Sequence, residues 1–426
     1  MTSTNHSCDV VVVGGGPAGI AAAVAAAEGR GRVIILDDNP ALGGQIWRAD
    51  AGRISAPQAM PWLRRLHRTK VEIFAGARVV DTIGPNTLIA EFPDGKAHRL
   101  DFRNLILATG ARERFLPFPG WTLPNVMGAG GLQALVKAGL PIAGKRVAVA
   151  GTGPLLLAVA AFLRKHGAKV LLIGEQASRK NLRRFGTALV RYPAKFWQAV
   201  ALQKNLFGIP YLTDCWPLRA EGNRSLERVT FHRGQKTWDI ECDYLACGFG
   251  LVPNVELGAL LGTDIAGGTI IVDDLQRTSL PNIFCAGEST GIGGVDLCLI
   301  EGETAGYAAA GMLERAQSLT TKREKHRQFA RLLEATFALR VELKSISTAS
   351  AFLCRCEDVT VERVREFDDW RTAKLMTRCG MGPCQGRICG PAAEFLFGWN
   401  AQSVRPPAFP VKLKTIAGEG VSADFS

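Results

Sequence analysis

The sequence predicts an α/β protein. Two three-layer domains, each a parallel sheet between helices, precede a small, mainly helical C-terminal domain. Three observations lead there. An apolar run, a glycine-rich turn, an alanine-rich run and a second apolar run succeed one another over residues 10–37. The same succession returns over residues 146–175. Five cysteines then crowd between Cys354 and Cys389, while six others are dispersed. With 426 residues the chain is long enough for two or three domains with their own cores. Its 47% hydrophobic and 21% charged residues exclude a disordered chain, and neither a fibrous repeat nor a small disulfide scaffold fits.

Val10–Val13 is a continuous apolar run, as expected of a parallel strand buried on both faces. It runs into Gly14-Gly15-Gly16-Pro17-Ala18-Gly19 and an alanine-rich helix, and the next strand, Val33–Leu36, closes on Asp37 with Asp38 beside it. This order of strand, glycine turn, helix, strand and acid is the Rossmann-like dinucleotide fingerprint in its required context. Gly14 makes the tight turn, Gly16 lets the backbone approach a pyrophosphate, and Gly19 lets the helix lie close to the strand. Asp37 is placed for ribose hydroxyls, and the helix N-terminus attracts phosphate charge.

The second unit is an altered copy. Arg146–Ala150 reads as a strand, Gly151-Thr152-Gly153-Pro154 as the turn, Leu155–Leu163 as the helix and Val170–Ile173 as the next strand. Leu156 stands at the position of Gly19. Counting from Gly151, Gly174 stands at the position of Asp37, with Glu175 one residue later. A large side chain at 156 is expected to push the helix off the strand, and the acid is expected out of register. Two readings stay open: a nucleotide site on Gly151, Gly153, Pro154 and Glu175 that takes ATP or NAD(P), and a structural copy with no nicotinamide role.

Further motifs follow in order. Leu42-Gly43-Gly44-Gln45 comes after the ribose acid, and Leu107-Ala108-Thr109-Gly110-Ala111 ends a strand. Phe249-Gly250-Leu251-Val252-Pro253-Asn254 marks a return crossing, and Ile283-Phe284-Cys285-Ala286-Gly287-Glu288 comes late. On these motifs the chain resembles the two-dinucleotide-binding-domain flavoproteins. The resemblance implies FAD on the first unit, held by the first glycine motif, Asp37, Asp38, Gly43, Gly44, Gln45, Ala108, Thr109, Gly110, Gly287 and Glu288. In that family the acid after the last glycine, usually Asp, bonds the ribityl chain; here it is Glu288. Disulfide reductases of the family carry a C-x-x-C pair, and this chain has none in either region. Cys8, Cys215, Cys285 and Cys298 read as small core hydrophobes.

The late cysteines fall as C-x-C (Cys354, Cys356) and C-x4-C (Cys384, Cys389), with Gly380, Gly382 and Gly386 free to curl the backbone around a cluster. Thiolates hold iron–sulfur clusters. A zinc site is the alternative, although zinc ribbons more often use C-x2-C pairs. The segment resembles the bacterioferritin-associated-ferredoxin-like [2Fe–2S] domain. The resemblance implies Cys354, Cys356, Cys384 and Cys389 as ligands and leaves Cys379 as a fifth thiol outside the set. Expected boundaries are 1–117 with 252–318 for the FAD domain and 118–251 for the inserted nucleotide-type domain. The cluster domain is expected over 325–400 and a Pro-rich tail over 401–426. The tail reads either as a loose end or as a strap along a partner.

The net charge of +12 gathers around Arg179, Lys180, Arg183, Arg184, Arg191, Lys195 and Lys204, with a second run at Lys322, Arg323, Lys325 and Arg327. No nucleic-acid motif accompanies either run, so a solvated face or a protein interface is the reading. The six histidines show no metal spacing, and no nucleophile–base signature is visible, so no side chain is assigned a catalytic role. The N-terminus lacks the pattern of a secretory leader, and no stretch reaches the roughly 20 apolar residues of a membrane span, so a cytoplasmic location is expected.

Taken whole, the chain is similar to a family that includes the alpha-type subunits of opine oxidases, the B subunits of hydrogen cyanide synthases, and the alpha subunits of hydroxyproline or proline dehydrogenases. The resemblance implies an electron-transfer subunit that takes electrons from a flavin-dependent amine-oxidase-like beta subunit, then passes them to a downstream acceptor. In some members it also implies an interfacial FMN and a small gamma subunit. The alternatives are a stand-alone NAD(P)H-dependent reductase of a ferredoxin-like acceptor and a redox-sensing binding module.

Overall fold

The structure, a computed structural model, describes residues 4–48, 56–400 and 404–418. The chain divides into two compact units. The first comprises Met1–Arg112, Pro253–Arg331 and Ser403–Ser426, and the second Glu113–Val252 and Leu332–Gln402.

The first unit is built on a seven-stranded sheet. Its members are β1 (Thr4–Val13), β2 (Val33–Asp37), β3 (Glu72–Ala75), β4 (Arg78–Thr82), β5 (Thr87–Glu91), β6 (Ala97–Leu107) and the strand Ile283–Cys285. They run in the order β3-β2-β1-β6-β5-β4, with Ile283–Cys285 beside β6. β1 is longer than its apolar run because residues from Thr4 onward pair in parallel with His98 onward. Its buried centre faces β2 on one side (Val10↔Val33) and β6 on the other (Val10↔Asn104).

Helix α1 (Pro17–Ala27) begins where proline is tolerated, at the first helical turn, with Gly16 as its extended N-cap. Its alanines pack against the helix Val295–Ala309 at backbone distance. A Cβ added to Gly302 would lie 2.1 Å from the Ala18 carbonyl oxygen, and one on Gly306 would lie 2.2 Å from that of Ala22. Small residues on both helices make this contact possible.

The second unit repeats the plan with a five-stranded parallel sheet. Arg146–Gly151 pairs with Lys169–Glu175 on one side and Tyr244–Gly248 on the other. The helix Pro154–Lys165 follows the glycine turn. A three-stranded antiparallel sheet (Cys215–Glu221, Arg228–Arg233, Lys236–Glu241) is added to it. Residues 332–402, which take in most of the domain expected over 325–400, group with this unit, and residues 325–331 group with the first. Leu343 and Ile346 are buried in the same core as Phe231 and Leu245, and Ile388 and Phe395 pack on it. The cysteine region also has a small core of its own around Leu353, Val361, Val364 and Trp370.

Of the expected tail, 401–403 and 419–426 lie outside the described residues. The remainder is not loose: it lies on the first unit. The Ala408 amide donates to the Val80 carbonyl at 2.7 Å. Glu91 accepts from the Lys412 amide and the Thr415 hydroxyl, each at 3.0 Å. Among the described residues no helix is long and apolar enough to cross a membrane.

Replacing Gly302 by Ala should destabilise the chain by about 2 kcal/mol or more, because one methyl has to displace backbone. Gly186 sits in the helix Arg179–Leu189 with nothing within 4 Å of an added Cβ. Gly186→Ala should instead stabilise by about 0.5–1 kcal/mol. Chemical denaturation of the two variants checks both signs.

Candidate functional site

In the first unit the glycine turn is shaped by contacts a side chain would prevent. Gly14 has φ +108°, and a Cβ on it would fall 2.2 Å from the Ala108 carbonyl oxygen. A Cβ on Gly19 would fall 1.8 Å from the Gly14 oxygen. Gly16 differs: its added Cβ meets only the Gly44 Cα, at 3.9 Å. Room is therefore left beside Gly16 at the N-terminus of α1, where a pyrophosphate is stabilised by backbone N–H groups and the helix dipole. Gly43, whose amide donates to the Gly15 carbonyl at 2.8 Å, and Gly44 bring the following loop over this turn.

Asp37 is 5% exposed at the end of β2. One oxygen accepts from the Gly15 amide at 2.6 Å, and the other accepts from the Asn39 amide and side chain at 2.8 Å. Asp38 is exposed and pairs with Arg78 at 3.7 Å, and Gln45 is exposed. Thr109 donates to the Asn254 carbonyl at 2.6 Å, and Asn254 Nδ2 donates back to the Thr109 carbonyl at 2.8 Å. The turn at Thr109-Gly110 is thereby tied to the returning chain, with Ser289 Oγ 2.9 Å from the Thr109 hydroxyl.

Gly287, at φ +80°, lies against α1; a Cβ there would be 2.7 Å from that of Ala18. The adjoining Glu288 is half-buried. Burial pushes its carboxyl from the ordinary 4.5 up to about 7. Sequence reasoning missed the residues that hold this turn. Glu301, 1% exposed, accepts from the Gly287 amide at 3.1 Å and the Thr290 hydroxyl at 3.0 Å. It pairs with Arg327 at 3.1 Å. Gln276, fully buried, donates to the Cys285 carbonyl at 2.8 Å and accepts from Arg323 and Arg327, each at 3.2 Å. A glutamate directly after the apolar stretch Leu297–Ile300 was the one signal available.

The second unit reproduces the turn with a different acid. The strand register shifts between Val170 and Leu172, as a bulge does. That extra residue makes Glu175, not Gly174, the partner of Gly151 in the sheet. Its carboxylate accepts from the Gly153 and Ala177 amides, each at 2.8 Å. Burial at 0% exposure pushes this carboxyl up to about 7. Leu156 does not disturb the fold: its Cδ2 lies over Gly248, 3.3 Å from where a Cβ would stand there.

The cysteine loop gathers five thiols. Cys354, Cys379 and Cys389 are buried with their sulfurs within 4.8 Å of one another. Cys356, exposed, and Cys384 are 3.8 Å apart, and Cys384 also hydrogen-bonds Cys389. Cys379, outside the C-x-C and C-x4-C pairs in sequence, stands beside two of their members in space. Tight turns bring this about. Gly380 has φ +80° over the Trp370 ring, and a Cβ on Gly382 would stand 2.3 Å from that of Cys356. The Gly380 amide donates to Cys354 Sγ at 3.4 Å. Bonds from Cys379 and then Cys389 hold the Cys354 thiol far below its ordinary range, and Cys389 does the same for Cys384. Burial pushes the Cys356 thiol up, and thiol–thiol bonds push those of Cys379 and Cys389 up. An all-thiol donor set suits a metal centre bound by thiolate. The other six cysteines are buried, and burial raises the thiols of Cys8, Cys215 and Cys242 to about 12. The basic residues of the first run lie on the helices Arg179–Leu189 and Pro193–Asn205 or beside them, with Trp197 67% exposed among them.

Known proteins match this chain over most of its length. Residues 8–318 match the pyridine nucleotide-disulphide oxidoreductase family. Hydrogen cyanide synthase subunit HcnB of Pseudomonas protegens is 30% identical over 426 residues, covering 90% of this chain and 90% of that one. An opine oxidase subunit of Agrobacterium tumefaciens, the alpha-type one, is 28% identical over 475 residues, covering 98% and 92%. The crystal structure of L-proline dehydrogenase from P. horikoshii shares the fold, with a TM-score of 0.71 at 20% identity over 98% of this chain and 80% of that one.

A carboxyl with a raised folded pKa stabilises the fold at low pH and loses that contribution as pH rises, because the unfolded chain then binds fewer protons. For Glu288 the window runs from 4.5 to about 7. In the flavin-free chain, Glu288→Gln should therefore melt increasingly higher than the parent across that window and stay higher above it. A pH-independent difference in melting temperature would mean that the carboxyl is not desolvated.

Proposed function

The chain belongs to the pyridine nucleotide-disulphide oxidoreductase family, and on that premise we propose that it is the FAD- and [2Fe–2S]-containing electron-transfer subunit of a heteromeric amino-acid, opine or hydroxyproline dehydrogenase. The observation that carries this reading is the presence, in one polypeptide, of a glycine cradle with room beside Gly16 and a cluster of five cysteine thiols. The names of its relatives support a multi-subunit setting, since HcnB and its opine oxidase counterpart are each named as one subunit of a larger enzyme.

Bound at these places, a flavin supplies two-electron chemistry and an iron–sulfur cluster supplies one-electron chemistry. The protein contributes position and environment. Gly16 admits the pyrophosphate to the backbone, while Asp37 fixes the turn through Gly15 and keeps lone-pair capacity for a ribose hydroxyl. Thr109, Gly110 and Asn254 fix the loop at the sheet's end, and Glu288 offers a desolvated carboxyl that gains a hydrogen-bond partner from a ribityl hydroxyl. Cys354, Cys356, Cys384 and Cys389 are the proposed cluster ligands. The buried remaining cysteines leave no low-pKa thiol pair of the disulfide-reductase kind among the described residues. The donor is then a flavin-dependent amine-oxidising beta subunit, with an interfacial FMN and a small gamma subunit as further parts of the assembly. The complex is placed in the cytoplasm, handing its electrons to a downstream acceptor.

Co-purification tests the reading: the tagged chain should bring down an amine-oxidising flavoprotein, and amine substrate should bleach its visible spectrum only in that complex. Rapid bleaching of the isolated chain by NADH or NADPH would sink the proposal. Cys384→Ser should keep stoichiometric flavin and lose iron together with the cluster's visible absorption. Retention of both iron and that absorption would remove Cys384 from the ligand set.

A further inference from the structure

The family's name includes a pyridine nucleotide, and the second glycine turn is where one would bind. The residues there do not fit it. In the first unit the neighbour of Gly16 is Gly44, which has no side chain to fill the space. In the second unit the neighbour of Gly153 is the Phe337 ring, whose Cγ is 4.0 Å from an added Cβ. Phe337 is itself braced edge-on by Phe185, with ring centroids 5.3 Å apart.

The polar groups of the turn are also engaged. The Thr152 hydroxyl donates to the Phe337 carbonyl at 3.1 Å. Gln176, fully buried and next to Glu175, donates to the Ala338 carbonyl at 3.1 Å and to the Thr152 hydroxyl at 2.9 Å. Its own oxygen accepts from the Arg340 amide at 3.3 Å. Arg340 then reaches Asp214 at 2.7 Å and lies over the Trp216 ring at 5.3 Å. Glu175, at 0% exposure, holds the turn with both oxygens on backbone amides, as Asp37 does in the first unit, so what distinguishes the two turns is the segment lying over them. Backbone carbonyls of 337 and 338 thus take up the donors that phosphate or ribose oxygens would otherwise meet.

We propose that residues 337–340 are a built-in occupant of the second nucleotide cleft, so that the chain excludes nicotinamide and adenine nucleotides there. This deepens the reading above and rests on it for the consequence that reducing equivalents arrive from a partner chain. Phe337 and Gln176 are the specificity-determining residues. An occupant of this kind raises the apparent dissociation constant by the inverse of the fraction of time it stands open.

Calorimetric titration of the full-length chain, carrying its own cofactors, with NADH and separately with ADP tests the proposal. The parent chain should show no saturable binding up to about 1 mM. The double variant Phe337→Ala, Gln176→Ala should bind at least about tenfold tighter than any residual parent affinity. Saturable NADH or ADP binding by the parent, with amide-exchange protection of residues 151–156, overturns the proposal. So does a double variant that keeps native circular dichroism and flavin content yet gains no binding. If the double variant does not fold, the amide-exchange arm on the parent decides alone: unchanged exchange at 151–156 under NADH upholds the occupant, and protection refutes it.

The two readings fail separately. NADH binding without flavin reduction removes the occupant and leaves the electron-transfer function standing. Nucleotide exclusion combined with no electron transfer from the amine-oxidising partner does the reverse.

Discussion

The carbonyl oxygen of Gly14 stands 1.8 Å from where a side chain at residue 19 would begin, and much of the first unit depends on that approach. It presses α1 against β1 and aims the helix N-terminus at the space beside Gly16. On its other side α1 meets the helix Val295–Ala309 with glycines at the contact, so a helix from late in the chain is held as tightly as a neighbour in sequence. That helix carries Glu301, which reaches back to the Gly287 amide and keeps the turn before Glu288 against Ala18. Constraints on side-chain size therefore place both the Gly14–Gly19 turn and the turn at Gly287, far apart as they are in sequence. Packing of backbone on backbone has no rotamers to adjust, which is why such contacts transmit a single added methyl as displacement.

The local parts of this arrangement were legible in the sequence, and the long-range parts were not. Residues 10–37 declare themselves because strand burial, glycine spacing and a terminal acid agree on one answer. The second unit is readable as a copy, yet counting residues from Gly151 points to Gly174 as the counterpart of Asp37. A bulge at Leu171 consumes one residue, and counting cannot see a bulge. Leu156 looks disruptive in sequence for a related reason: the room for it is made by Gly248, some ninety residues away. Buried Glu301 and Gln276 and half-buried Arg327 form a network whose members share no motif. The docking of Ala408 on Val80 could not be read from a Pro-rich composition that suits a loose end as well as a strap.

The cysteines show the limit of spacing as an argument. The C-x-C and C-x4-C pairs stand out because their members are close in sequence, and Cys379 does not. In space the order differs, since the left-handed turns at Arg378 and Gly380 fold Cys379 inward beside Cys354 and Cys389. Five thiols are thus gathered where the sequence spacing picks out four. Thiol–thiol bonds within this group lower the Cys354 and Cys384 thiols and raise those of Cys379 and Cys389, so the protons are shared unevenly across the loop. Metal binding by thiolate releases protons, so the affinity of an all-thiol site rises with pH.

The two glycine turns share one plan and have come to opposite states. Each has a strand, a tight turn, a proline at the start of the helix and a buried acid on a neighbouring strand. What differs is what lies over the turn. Gly44 leaves the first one accessible to a phosphate, whereas Phe337 and its carbonyl close the second with the chain's own atoms. Fold alone would assign both to nucleotides, but function resides in the site rather than the fold. The closed turn still stabilises the unit. Thr152, Gln176 and Arg340 are buried or half-buried polar groups, and each would be costly without partners. A peptide segment that satisfies Thr152 and Gln176 permanently replaces a ligand that would satisfy them only when present, and Arg340 within it finds its own partner in Asp214. A second turn closed in this way also anchors the segment that leads into the cysteine loop, because Thr152 and Gln176 bond its backbone at residues 337, 338 and 340.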